Sequence, residues 1–213
     1  MVEILEGLWA VRQSPADGLE LEGYILDCGG DLVLVDTGFT PQDVDIIQRE
    51  LRSMGREWAD IDVILITHAH GDHIGNLPLI KKKTGAEVMA GSGDADRIKE
   101  RTAVDVDRRL IHGDVIDVCG WIETIGVPGH SEGNLSFYLR RHRTIIAGDS
   151  IFGDLEGNLY APPGKYCQDA EMAARGMRRL LDYDFDVLLL SHGRNLMSGA
   201  KDEVSNLCRE YLS

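Results

Sequence analysis

The chain has 213 residues, 43% of them hydrophobic, enough for one domain with a substantial core. Its 36 acidic residues outnumber 22 basic ones, and the resulting charge of -14 repels phosphate backbones and anionic headgroups, which excludes nucleic acid and membrane surfaces as expected partners. No apolar stretch approaches the roughly 20 residues of a membrane span, and the N-terminal MVEILEGLWAV carries acids where a secretory leader carries bases, so a cytoplasmic protein is expected.

In chain order, VEILEGLWAV, LEGYILD and DLVLVD read as a meander of strands separated by the turn signals SPADG and CGGD. Thr40 followed by Pro41 predicts a helix start, and Val44, Ile47, Leu51 and Met54 carry helical spacing up to Gly55. A strand at IDVILI, a helix over 72–83 closed by Gly85, a strand at EVMA and a polar helix near 94–101 follow. WIETIGV, NLSFYLR and RTIIAGD read as strands, QDAEMAARGMRRLLDY as an amphipathic helix, DVLLLS as a buried strand and residues 199–212 as a closing helix. No Pro-rich or Ser/Gly-rich linker interrupts the series, so residues 1–213 are expected to form a single domain. This order of elements predicts two sheets packed together with helices outside, an α/β four-layer αββα sandwich. Cys28, Cys119, Cys167 and Cys208 lie far apart without CxxC spacing and are read as reduced thiols.

Chemistry concentrates in THAHGDHIGN, directly after IDVILI, where His68, His70, Asp72 and His73 give H-x-H-x-D-H. Side chains two apart on a strand share a face, so His68 and His70 are expected to project together, with Asp72 and His73 on the turn into the next helix. Imidazole and carboxylate donors in this number suit zinc, iron or manganese. Three further candidates also end apolar runs: His130 in VPGH, Asp149 in AGDS and His192 in LSHG. Each stands beside a glycine, Gly129, Gly148 or Gly193, that lets the backbone pass close to a neighbour, so one sandwich edge could gather all seven ligand-type side chains. His112 and His142 lie in charged contexts away from strand ends and are read as surface residues.

THAHGDH, followed in order by GH at 129–130, GD at 148–149 and SHG at 191–193, resembles the metallo-β-lactamase superfamily, and VDTG at 35–38 is similar to that family's early strand-end motif. The likeness runs over roughly residues 20–195 and implies the metallo-β-lactamase fold, two mixed sheets flanked by helices. It implies that two divalent metal ions are bound, Zn2+ foremost with Fe or Mn as alternatives. His68, His70 and His130 would hold one, Asp72, His73 and His192 the other, with Asp149 between them. Asp36 would orient the histidine loop through a hydrogen bond.

Among subfamilies, zinc-dependent β-lactamases generally lack the bridging aspartate that Asp149 supplies. Glyoxalase II and persulfide dioxygenases usually have a Gly-Arg-rich segment where this chain reads SIFGDLEGNLYAPPGKYC. The activity implied is a glyoxalase II-like or lactonase-like metallohydrolase, cleaving a small ester, thioester or lactone with a metal-bridging hydroxide. A mononuclear non-haem iron oxidoreductase resembling the persulfide dioxygenases is the alternative. Asp72 is the candidate for proton transfer, and Tyr160, Lys165 and Tyr166, in a Gly/Pro-containing loop over 153–167, are candidate substrate contacts. The expected partner is a small-molecule substrate, and a homodimer is the assembly allowed for.

Overall fold

The computed structural model describes residues 2–16 and 19–212; Asp17 and Gly18, part of the expected SPADG turn, lie outside the described residues. Strands β1 (Val2–Leu5), β2 (Leu8–Ala16), β3 (Leu19–Asp27) and β4 (Leu32–Val35) form the antiparallel meander. After α1 (Pro41–Ser53), the chain becomes right for parallel pairing, because each return to the sheet now crosses through a helix. Strand β5 (Val63–Ile66), helices α2 (Gly71–Ile74) and α3 (Leu77–Thr84), β6 (Glu87–Gly91), α4 (Ala95–Thr102) and β7 (Arg108–Leu110) complete a seven-stranded sheet in the order β1 to β7.

The second half supplies β8 (Val115–Ile116), β9 (Ile122–Gly126), β10 (Leu135–Leu139) and β11 (Thr144–Ile146). A short hairpin, β12 (Phe152–Gly153) with β13 (Leu159–Tyr160), leads into α5 (Ala170–Gly176), β14 (Val187–Leu189) and α6 (Ala200–Leu212). The second sheet has the order β14-β11-β10-β9-β8, with β14 parallel to β11 and the other pairs antiparallel.

Alternation along the buried strands generates the layers. Ile25, Leu34, Ile64 and Val88 face Val44, Ile47, Ile80 and Ile98 of the helices on one side. Their sequence neighbours Leu26, Val33, Leu65 and Met89 face Leu135, Phe137, Ile146 and Leu189 of the other sheet. Beyond that sheet, Ile125, Ile145 and Leu188 pack on Met177, Leu180, Val204 and Leu207. Helix, sheet, sheet and helix stack in the predicted order.

Three local readings need correction. The single helix expected over 72–83 is two, because Pro78 sits in the first turn of α3 and Asn76 is drawn off, its Nδ2 donating to the carbonyls of Thr37 (3.0 Å) and Thr40 (2.9 Å). The run 168–183 is helical only through Gly176 and continues as a 3-10 segment, Met177–Asp182. Cys28 and Cys119 are not reduced thiols: they form a disulfide with Cα atoms 5.1 Å apart. They are 91 positions apart in sequence and meet only because the β3–β4 turn and the β8–β9 turn lie at the same end of the two packed sheets. Cys167 and Cys208 are free. Among the described residues no helix is long and apolar enough to cross a membrane.

Candidate metal centre

Strand β5 ends one residue before Thr67, so His68 and His70 stand on the loop rather than on the strand itself, and Asp72 and His73 lie in the short α2. His68 and His70 nevertheless share a side, their rings 4.6 Å apart and edge-on. His130 follows β9, Asp149 lies in a 3-10 turn after β11, and His192 follows β14, so with the 68–73 segment four separate connections deliver side chains to one rim. The three adjoining glycines all have positive φ: a Cβ on Gly129 would collide with Ala173, one on Gly148 with Thr67 and one on Gly193 with Gly153.

The seven side chains fall into two groups: His68, His70, His130 and Asp149 in one, and Asp72, His73 and His192 in the other, with the ligand atoms of each group lying within 4.8 Å of one another. Asp149 faces both. Its Oδ2 lies 3.8 Å from His68 Nε2 and 3.2 Å from His130 Nε2, while Oδ1 lies 3.3 Å from His73 Nε2 and 3.6 Å from His192 Nε2. Asp72 Oδ2 closes the second group at 3.4 Å from His192 Nε2 and 3.7 Å from His73 Nε2.

The ionisation pattern leaves the imidazoles of His68 and His70 free to donate, while His73 and His192 are shifted up and hold protons that a cation would replace. Burial pushes the His68 imidazolium well below its ordinary range, helped by the neighbouring His73, and burial with His130 nearby lowers His70 to about 4. Both rings are therefore neutral near pH 7 and offer lone pairs. Burial works against the charged form of Asp149, yet His73 and His68 outweigh it and hold this carboxyl well below the usual range. Burial likewise opposes the charge of His73, but Asp36, Asp149 and Asp72 raise it well above 6.5. His73 Nε2 and Asp149 Oδ1 are buried without a hydrogen bond of acceptable geometry. Orphaned polar atoms of this kind are costly unless something binds them, and an imidazole nitrogen facing a carboxylate oxygen is a donor set suited to a divalent ion. The residues present thus fit the implied metals.

Asp36 hydrogen-bonds into the 67–73 segment. It is buried, holds φ of 60°, accepts from Thr67 N (2.9 Å) and Thr67 Oγ1 (2.8 Å), and lies 2.7 Å from His73 Nδ1. Tyr160 is on β13 opposite Phe152, whose ring stacks on His192 at 5.0 Å. Lys165 Nζ lies over the Tyr166 ring, and the following residue, Cys167, places its sulfur 3.7 Å from His130 Nδ1. Of the loop over 153–167 it is thus Cys167 that meets the centre, while Tyr160, 37% exposed, is joined to it only through its strand partner Phe152. His112 is exposed, and His142 lies away from the cluster, its Nε2 2.9 Å from the Glu6 carbonyl.

Sequence reasoning missed Asp94. Buried at the start of α4, it accepts from Ala69 N (2.9 Å), Ser131 Oγ (2.5 Å) and Gly133 N (3.0 Å), tying the His68–His70 loop to the His130 loop across the two sheets. In the sequence it is one more helix-start aspartate. Phe152 and Cys167 carried no signal either, since each acts only through a histidine remote in sequence.

A seven-stranded and a five-stranded sheet, packed face to face with a two-part His/Asp cluster on one rim, define the class of αββα metal-site proteins. The family profile of the metallo-beta-lactamase superfamily matches residues 24–192, and the chain belongs to that superfamily. A hydroxyacylglutathione hydrolase of Methylobacterium nodulans is 34% identical over 156 residues, covering 73% of this chain and 56% of that protein. One of Ectopseudomonas mendocina is 39% identical over 105 residues, covering 49% of this chain and 38% of its own length. The chain thus spans about half or less of the curated relatives it matches. Among solved structures, a metallo-beta-lactamase family protein from Thermus thermophilus superposes with a TM-score of 0.77 at 21% identity, over 98% of this chain and 80% of that one. A subclass B3 metallo-beta-lactamase of Bradyrhizobium japonicum gives 0.67 at 22% identity, over 95% and 90%. At these identities the structural likeness establishes the fold, two mixed sheets flanked by helices.

Proposed function

We propose that the protein is a metal-dependent hydrolase of a small thioester, with two zinc ions. The observation that carries this reading is Asp149, whose two oxygens face separate groups of imidazoles while its Oδ1 and the facing His73 Nε2 lack hydrogen bonds. The curated relatives at 34% and 39% identity, both named hydroxyacylglutathione hydrolase, support a thioester over other esters. His68, His70 and His130 would hold one ion and Asp72, His73 and His192 the other, with Asp149 shared. Bound there, such ions supply Lewis acidity and make water nucleophilic near neutral pH.

The chain's own groups do the rest. Thr67 and His73 fix the Asp36 carboxylate, which keeps the proton of His73 on Nδ1 and turns the Nε2 lone pair inward. Asp72 is the most exposed ligand-type carboxylate, 25% accessible, and with Oδ2 turned to the second group its carboxylate would take up the proton released from water on its other oxygen and pass it to the departing thiolate. Atoms balance as thioester and water giving carboxylic acid and thiol.

Protein loaded with defined zinc, and separately with iron, should release thiol from a hydroxyacyl-glutathione thioester, read by a colorimetric thiol reagent. Zinc-loaded protein without thiol release, or iron-loaded protein that consumes oxygen on a glutathione persulfide, overturns the reading. An Asp72→Asn protein that keeps both ions and full turnover removes Asp72 from proton transfer.

A further inference from the structure

Next to the centre lies a cavity of about 610 Å³ whose wall includes Ser191 and Gly193, the residues on either side of His192, as well as Arg194 and Asn195. Arg12 of β2 and Arg49 of α1 also line it, so three arginines border one depression in a chain of net charge -14. The two acids that share the lining are already engaged. Glu22 accepts from Asn195 Nδ2 (2.6 Å) and Arg12 Nε (3.3 Å), and Glu50, 7% accessible, pairs with Arg49 at 3.0 Å. Arg12 spends only its Nε on Glu22 and is 80% accessible, and among the described residues no carboxylate pairs with Arg194. What faces the open volume is therefore the unspent guanidinium donors of Arg12 and Arg194 beside the apolar Leu155 and Met197, which are 70% and 44% exposed.

Resting on the thioester reading, we infer that this cavity binds the remote carboxylate of a peptidic thiol carrier, with Arg194 and Arg12 as the carboxylate-recognising pair. A guanidinium offers two parallel N–H donors that match a carboxylate, and such charge-assisted pairs are about twice as strong as neutral ones. The reach is right. Arg194 is two positions from His192, so their Cα atoms are at most about 7 Å apart, and an arm of tripeptide length spans from the centre to its side chain. Asn195 is held by Tyr24 OH (3.0 Å) and Glu22, which fixes this wall while Arg194 points outward. The apolar pair gives the methylene stem of the arm a surface to lie on.

The test compares three thioesters carrying the same acyl group on zinc-loaded protein: glutathione, N-acetylcysteamine, which has no carboxylate, and coenzyme A, whose anions are phosphates. Arg194→Gln and Arg12→Gln should each raise KM for the glutathione thioester on the order of tenfold relative to KM for the N-acetylcysteamine thioester, with kcat little changed. Titration of S-methylglutathione into wild type and Arg194→Gln, followed by calorimetry, should show the same loss without any turnover. Equal KM ratios in wild type and variants, undiminished S-methylglutathione binding by Arg194→Gln, or an arginine-dependent preference for the coenzyme A thioester overturns the inference. Failure of every thioester to be hydrolysed refutes the thioester reading instead, while the calorimetric arm still decides the site.

Discussion

Replacing Asp36 by Asn changes almost nothing in shape but turns a donor toward both partners of the native Oδ2, the Thr67 hydroxyl, which can rotate to accept, and His73 Nδ1. Asn tolerates the left-handed φ of 60° that Asp36 adopts, and its Oδ1 can still accept from Thr67 N. The remaining Nδ2 must face His73 Nδ1, 2.7 Å away in the native protein, where a donor now meets a donor. Relief requires the imidazole to move its proton to Nε2, the nitrogen that lies 3.3 Å from Asp149 and has no hydrogen bond of its own. Losing one buried bond to a charged group costs about 1.5–3 kcal/mol. Turning a proton toward the metal position should also lower affinity for one ion by roughly 10- to 100-fold. Asp36→Ala strips all three acceptor contacts and should cost more, about 3–6 kcal/mol. Urea unfolding gives the stability change, chelator competition the affinity, and nitrogen-15 spectra of the imidazoles the tautomer of His73. An Asp36→Asn protein that retains the proton on His73 Nδ1 and binds both ions as tightly as wild type would refute the reasoning.

Asp94→Ala should destabilise by about 3 kcal/mol or more, because three buried donors lose their acceptor, and a urea midpoint indistinguishable from wild type counts against the tie between the two histidine loops. For the metal-free protein, His70 at about 4 and His68, also held well below 6.5, bind fewer protons folded than unfolded below pH 6.5, so stability falls as pH drops from about 6.5 toward 4. His73 and His192, raised above 6.5, contribute stability that is full below that value and is lost as pH rises through their folded values. Urea midpoints across pH 4.5 to 9 should thus peak near neutrality, and a monotonic profile contradicts these shifts. Paired Cys28→Ser and Cys119→Ser changes should cost about 2–5 kcal/mol, since the bridge closes a loop of 91 positions, and reductant should then have no further effect on the midpoint.

Periodicity and punctuation in the chain were enough to locate nearly every long element, because Leu26 against Ile25 or Leu65 against Ile64 alternate between two buried faces whatever lies opposite. Short pieces escaped. Strands β7, β8, β12 and β13 have two or three residues each, too few to show a period. The helix break at Asn76 is signalled locally by Pro78, but its other half depends on the carbonyls of Thr37 and Thr40, more than thirty positions away, which no local propensity encodes.

Ligand-type residues at 68–73, 130, 149 and 192 were legible by themselves, since imidazoles and carboxylates at the ends of apolar runs are chemically conspicuous. What only the tertiary structure decided is which of them meet: that Asp149 turns one oxygen to each group, that Asp94 binds the two histidine loops, and that Cys28 reaches Cys119. The physical reason is range. Strand and helix periods are set by neighbours within a few residues, whereas the site and its cross-links arise from packing two sheets whose contacting residues are tens of positions apart.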